Sequence, residues 1–193
     1  MVLDKFNSIP VLPKISFFVL LGGLNFTTYA LSQMMDEQDF HYYFAYKGNG
    51  RYSDMFRSMI GSNVLGNVIW TAPSLILVGQ YMHSKVGLMT MTKFTPLAFA
   101  ASMAFYTAFN PNPDSQFIPN LAPLRQVFPS ISAHGNHFYM GADSIASSLI
   151  YFAMMYHRLW LPCLAFTAVD LLYYGPMCLG GPLAGIFAGL TLI

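Results

Sequence analysis

The chain has 193 residues, of which 55% are hydrophobic and only 9% charged, with a net charge of +1 and a mean hydropathy of +0.47. Soluble domains carry roughly 25% charged residues, so this chain lacks the charge to coat a water-facing surface. It holds too much apolar surface for disorder, too little positive charge for a nucleic-acid interface, and its two cysteines make no disulfide framework.

A spanning helix needs about 20 mostly apolar residues. Six stretches approach that length and predict one compact helical bundle: Ile15–Met35, Ile60–Met82, Phe94–Phe109, Phe138–Tyr156, Leu159–Tyr174 and Gly175–Ile193. Tyr174-Gly175-Pro176 predicts the break between the last two, because proline cannot continue a helix ladder and glycine relaxes the turn. Most of the spans are short and rich in Gly, Ala and Ser, which implies a thinned bilayer or burial in a larger assembly.

The loops sort by charge. With six crossings, the N-terminus, the 83–93 loop and the 157–158 turn share one side, carrying Lys5, Lys14, Lys85, Lys93 and Arg158 against Asp4. The other side carries Lys47, Arg51, Arg57 and Arg125 with Asp36, Glu37, Asp39, Asp54 and Asp114. The basic excess places the N-terminus on the cytoplasmic or matrix side. Residues 1–10 include Asp4 and Lys5 and no hydrophobic core, so no cleavable signal is expected. The sequon Asn25-Phe26-Thr27 falls inside the first span and reads as chance.

Two connections stand out. The stretch Asp36–Met59 is long and aromatic, with Phe40, Tyr42, Tyr43, Phe44, Tyr46 and Tyr52, and suits the headgroup layer. The stretch Asn110–His137 holds Pro111, Pro113, Pro119, Pro123 and Pro129, too many for one helix. It is expected to lie along the membrane face or against a partner.

Polar groups in hydrocarbon are costly and carry a functional expectation. The second span has Asn63, Asn67, Thr71 and Gly79 in one row at four-residue steps, a small polar seam for close helix contact. The fourth has Asp143, Ser144, Ser147 and Ser148; the fifth has Asp170. The sixth has Cys178, then Gly181, Gly185 and Gly189, a glycine ridge on which another backbone can lie, with the serine-rich fourth span as the expected partner. Asp143 and Asp170 read as structural acids, hydrogen-bonded or paired with Arg57 or with a cation of another chain. His134 and His137, three apart, could hold a metal on a helix but read as an interfacial loop. His83 and His157 read as interface residues.

Taken together, these motifs carry a resemblance. Met177-Cys178-Leu179-Gly180-Gly181-Pro182-Leu183-Ala184-Gly185 looks like the sixth-helix pattern Ala-His-x-x-Gly-x-x-x-Gly of the rhomboid family of intramembrane proteases and pseudoproteases. Gly141-Ala142-Asp143-Ser144 is similar to its fourth-helix Gly-x-Ser-Gly, and Phe56-Arg57 to the Trp-Arg of its first loop. The row Asn67, Thr71 and Gly79 resembles the second helix, which normally carries His, Asn and Gly. The departures bear on function. Asp143 stands where the resemblance implies the serine nucleophile, Cys178 where it implies the histidine base, and Asn67 and Thr71 on the oxyanion side. Cys178 cannot serve Ser144 as a base, since a thiol is a poor proton acceptor.

The expectation is therefore an all-α membrane protein, a six-transmembrane-helix rhomboid-like bundle with a long interfacial first loop, forming one domain over residues 1–193. It would be catalytically inactive, with no metal and no cofactor. It would serve as an accessory subunit of a large complex of the mitochondrial inner membrane, a respiratory-chain or ATP-synthase assembly. Its partners would be other membrane subunits and phospholipids, not nucleic acid. The alternative is a pseudoprotease resembling derlins, handling or translocating membrane proteins. An active intramembrane protease with an unusual Ser144 or Cys178 nucleophile is a third reading.

Overall fold

The structure is a computed structural model that describes residues 16–45, 52–62, 65–109, 142–174 and 176–193. Among them every regular element is helical and no strand occurs. The elements are α1 (Phe17–Met34), α2 (Glu37–Phe44), α3 (Tyr52–Ile60), α4 (Leu65–Pro73) and a π-helical segment (Ser74–Val78) that leads into α5 (Gly79–Phe109). Then come α6 (Asp143–Tyr156), α7 (Trp160–Tyr174), a 3-10 turn (Pro176–Leu179) and α8 (Gly180–Thr191).

α1 starts at Ser16, whose hydroxyl accepts from the Phe18 N–H at 3.2 Å, the usual way a serine satisfies a free N–H of a helix start. Its buried residues Phe18, Leu21, Gly22, Asn25 and Thr28 recur at helical spacing and form one face. That face lies on α4 and the π segment: a Cβ on Gly22 would meet Ile76 Cγ1 at 2.8 Å and the Ala72 carbonyl at 3.0 Å. Pro73 lacks the N–H that continues a helix. The next turn widens into the π segment, and the Ser74 hydroxyl donates to the Trp70 carbonyl at 2.7 Å.

α5 reverses at Gly87, whose φ of 80° and ψ of 169° are open to glycine and costly for other residues. The reversal is visible from Phe18, which lies against Gly79 and has its ring centroid 5.9 Å from that of Phe94, the two rings tilted by 47°. One side chain can touch both only if the chain doubles back between them. The expected 83–93 loop is thus corrected. Thr, Met and Lys there are compatible with helix, and one glycine makes the whole turn. The expected second span is corrected too: Ile60 closes α3, and Gly61 and Ser62 part it from α4. The first connection is likewise not a plain loop, because it contains α2 and α3.

α6 is the central helix. Ile145, Ala146, Ser148, Leu149, Tyr151 and Phe152 are all buried, so it is enclosed on most sides. Phe152 stacks on Phe94 at 4.6 Å with the rings 17° apart. α8 lies parallel to α6 along its glycines. A Cβ on Gly181 would run into the Ser144 carbonyl. One on Gly185 would run into the Ser148 carbonyl and meet Tyr151 Cβ at 2.6 Å, and one on Gly189 would meet Met155 Cγ at 2.8 Å. α7 returns between these two helices and stays on the outside, with Leu161, Leu164, Phe166 and Leu172 exposed.

The end of α6 is a Schellman motif. The Leu159 N–H donates to the Met154 carbonyl at 2.8 Å and the Arg158 N–H to the Met155 carbonyl at 2.9 Å. Arg158 holds the left-handed position with φ 59°, where a side chain costs about 1–2 kcal/mol relative to glycine.

Side-chain contacts define the ends of the bundle. The Ser16 N–H donates to Gln80 Oε1 at 3.0 Å, and the Tyr81 hydroxyl lies 2.7 Å from His157 Nε2. The start of α1, the region of the Gly87 turn and the α6–α7 turn therefore share one end. Among the described residues no single helix is long and apolar enough to cross a membrane; one bent pair, Ser53–Ile60 with Leu65–Phe109 turned by 95°, passes on length and composition. α6 and α8, with 14 and 12 residues, reach only about 21 and 18 Å at 1.5 Å per residue; α5 is interrupted at Gly87, and the 18 residues of α1 include Asn25, Thr27, Thr28, Ser32 and Gln33.

Two glycine substitutions, one in the seam and one on the exposed side of α1, test the packing. Gly185→Ala is expected to destabilise the protein by about 1–3 kcal/mol, as overpacking against a neighbouring backbone does. Gly23→Ala, where a Cβ meets nothing within 4 Å, is expected to stabilise it by roughly 0.5–1 kcal/mol. Thermal unfolding of the two variants, followed by circular dichroism, measures both.

Candidate functional site

The positions singled out by the sequence fall on α4, α6 and the start of α8. Asp143 opens α6 as the first residue of the helix. An acid in the first turn complements the helix dipole. Ser144 sits one residue on, and its hydroxyl donates to Ser102 Oγ at 2.9 Å. This bond joins α6 to α5 where α8 joins as well: Gly180 backs onto the Ala101 carbonyl and Gly181 onto the Ser144 carbonyl. Cys178 precedes them in the 3-10 turn, within electrostatic reach of the Asp143 and Asp170 carboxylates. The structure thus brings Asp143, Ser144 and Cys178 to one end of the α6–α8 seam.

Asn67 and Thr71 are less alike than their spacing suggests. Thr71 is buried at 2% exposure, whereas Asn67 is exposed. The buried face of α4 is set by Val68, Thr71 and Ala72, and Asn67 lies about 100° round the helix from Val68. The polar row is corrected accordingly: the Asn67 end turns outward, and the π segment breaks its register before Gly79. Gly79 itself is buried against Phe18. Asn63, Gly141, His134 and His137 lie outside the described residues.

The acids find partners other than Arg57. The Tyr151 hydroxyl donates to Asp170 Oδ2 at 2.8 Å, tying the centre of α6 to the far part of α7. Cys163 is buried beside them, its thiol 3.9 Å from the Tyr151 carbonyl. Arg57 pairs instead with Asp54, three residues back on α3. α3 is fastened to α1 through one carbonyl: Ile60 O accepts from the Thr28 hydroxyl at 2.6 Å and from Asn25 Nδ2 at 3.3 Å. This clamp gave no signal in the sequence beyond two polar residues on an otherwise apolar face. Among the described residues, Thr71 Oγ1 and Asn25 Oδ1 are buried without a hydrogen-bond partner.

Chemically, a hydroxyl becomes a nucleophile only with a base in reach. The described histidines are His41, His83 and His157. His157 stands just past the opposite end of α6 from Ser144, 13 residues on, or about 20 Å. His83 lies two residues beyond Tyr81, which contacts His157, and His41 is on α2. Ser144 has Ser102 as its hydroxyl partner, and a hydroxyl is no base. Among the described residues no group of three or more His, Cys, Asp or Glu could hold a metal ion. No family model, no curated protein and no solved structure matches the chain.

Two outcomes are expected of this end of the bundle. A fluorophosphonate probe leaves the chain unlabelled, wild type and Ser144→Ala alike, as gel fluorescence would read. Tyr151→Phe loosens α7, lowering stability by about 1 kcal/mol or more for the lost bond to a carboxylate, with unfolding monitored by circular dichroism.

Proposed function

We propose that this chain is a rhomboid-like integral membrane protein without protease activity, serving as a structural accessory subunit of a large mitochondrial inner-membrane complex, in the respiratory chain or the ATP synthase. The observation that carries the reading is the outer surface. Large apolar side chains cover the outward faces of α1, α7 and α8, among them Leu20 at 59%, Leu172 at 68% and Leu190 at 70% exposure. Soluble monomers rarely expose contiguous apolar patches beyond a few hundred Å², whereas lipid or neighbouring subunits cover such faces well.

The interior supports the same reading. Helices that lack a hydrophobic drive to associate pack through small residues and interhelical hydrogen bonds. The Gly181, Gly185 and Gly189 seam and the Ser144–Ser102 and Tyr151–Asp170 bonds are of that kind. Helices shorter than a bilayer core of about 30 Å fit a chain flanked by neighbours. The loss of a hydroxyl–imidazole pair, with Asp143 and Cys178 in the two positions the resemblance assigns to it, removes the chemistry and leaves a scaffold. One feature favours the derlin-like reading: short helices also thin a bilayer locally, which suits a protein that handles membrane clients.

Purification in gentle detergent tests the proposal. The chain is expected to resist carbonate extraction and to co-migrate with a fixed set of inner-membrane subunits at constant stoichiometry. Migration alone overturns the subunit role, and many transient crosslinked clients select the client-handling one.

A further inference from the structure

One end of the bundle carries a cluster that plays no part in the proposed scaffold role. There the Tyr81 hydroxyl lies 2.7 Å from His157 Nε2, and the two rings stack with centroids 5.9 Å apart. One helical turn beyond Tyr81, the Lys85 ammonium stands 5.7 Å from the centroid of the same ring. Arg158 comes directly after His157, exposed, in the left-handed position of the Schellman motif that glycine usually fills. A cation near the C-terminus of α6 suits the helix dipole, but any residue of the last turn could supply it without a positive φ. Here the charge is held on the turn itself, next to the Tyr81–His157 pair.

The described acids all lie elsewhere. Asp36, Glu37 and Asp39 come after the far end of α1, Asp54 is on α3, Asp143 opens α6 and Asp170 is near the far end of α7. Adjacent to the cluster, α7 begins with an apolar outer face on which Leu161 is 64% and Leu164 54% exposed. Two cations and two hydrogen-bonding rings at the rim of an apolar helix face match a phosphate joined to acyl chains. Basic pockets between helix ends bind anionic lipid headgroups in this way. A zwitterionic headgroup would bring its own ammonium toward Lys85 and Arg158, and a free phosphate would leave the apolar face unused.

We infer that Lys85 and Arg158, with Tyr81 and His157 between them, hold the phosphate of an anionic phospholipid whose acyl chains run along Leu161 and Leu164 of α7. The inference rests on the proposal that the chain is a membrane protein. It is tested with the full chain in detergent, incubated with phosphatidylglycerol, phosphatidylcholine or inorganic phosphate. Native mass spectrometry reads retained lipid, and thermal unfolding reads stabilisation. Phosphatidylglycerol is expected to be retained and to raise the unfolding temperature, while the other two do neither.

Lys85→Ala and Arg158→Gly are each expected to weaken phosphatidylglycerol binding about fivefold, the effect of one basic residue at a lipid surface. Arg158→Gly should at the same time raise the unfolding temperature of the lipid-free protein, because glycine relieves the positive φ; lost binding is then not lost fold. Equal retention of phosphatidylcholine, an equal response to phosphate, or unchanged phosphatidylglycerol binding in both variants overturns the inference while leaving the membrane reading standing. A chain that stays in solution without detergent and takes up no lipid overturns both.

Discussion

The approach of α8 to α6 is the contact on which the remaining architecture depends. Gly181 and Gly185 let one helix rest on the carbonyl oxygens of the other, a distance no side chain permits. With the axes that close, the Ser144 hydroxyl also reaches Ser102 on α5, and Gly180 lies on the Ala101 carbonyl. Three helices therefore meet within one turn of one another. Further along, the Phe94–Phe152 stack carries the contact between α5 and α6. Remove the seam and neither the serine pair nor the stack has a fixed geometry.

The polar groups are distributed to serve this packing. Asp143 places an acid in the first turn of α6, Asp170 receives the Tyr151 hydroxyl from α6, and Ile60 O gathers two donors from α1. Each fastens one helix end or one helix pair. A carboxylate committed to a tyrosine and a serine committed to another serine are positional devices. The apolar outer faces, by contrast, make few internal contacts, and their chemistry is directed at whatever surrounds the bundle.

Much of the fold was legible from spacing alone. The break at Tyr174-Gly175-Pro176 and the glycine ridge both rest on local rules: proline and glycine chemistry for one, a four-residue step for the other. What escaped was governed by single residues whose effect depends on tertiary context. Gly87 turns the chain by itself, while the polar and basic residues around it looked like a longer loop. Pro73 widens a turn into a π segment instead of ending the helix, which no composition rule distinguishes from a kink. Asn67 shares a four-residue step with Thr71 yet faces outward, because such a step drifts by about 40° and the buried stripe of α4 is narrow. The sequence named Ser144 and Asp170 but not the partners that hold them, since Ser102 stands 42 residues from the one and Tyr151 19 residues from the other.

The parallel run of α6 and α8 has a consequence for the order of assembly. Two parallel helices cannot be joined directly, so α7 must first travel the full length of the bundle in the opposite sense. The glycines of α8 reach their carbonyls only after that return is complete. Until then the central helix offers a bare row of backbone oxygens along one side, and nascent protein in that state is a substrate for chaperones or for mispairing. Closure of the bundle is therefore a late, non-local event, slow by comparison with the formation of its individual helices.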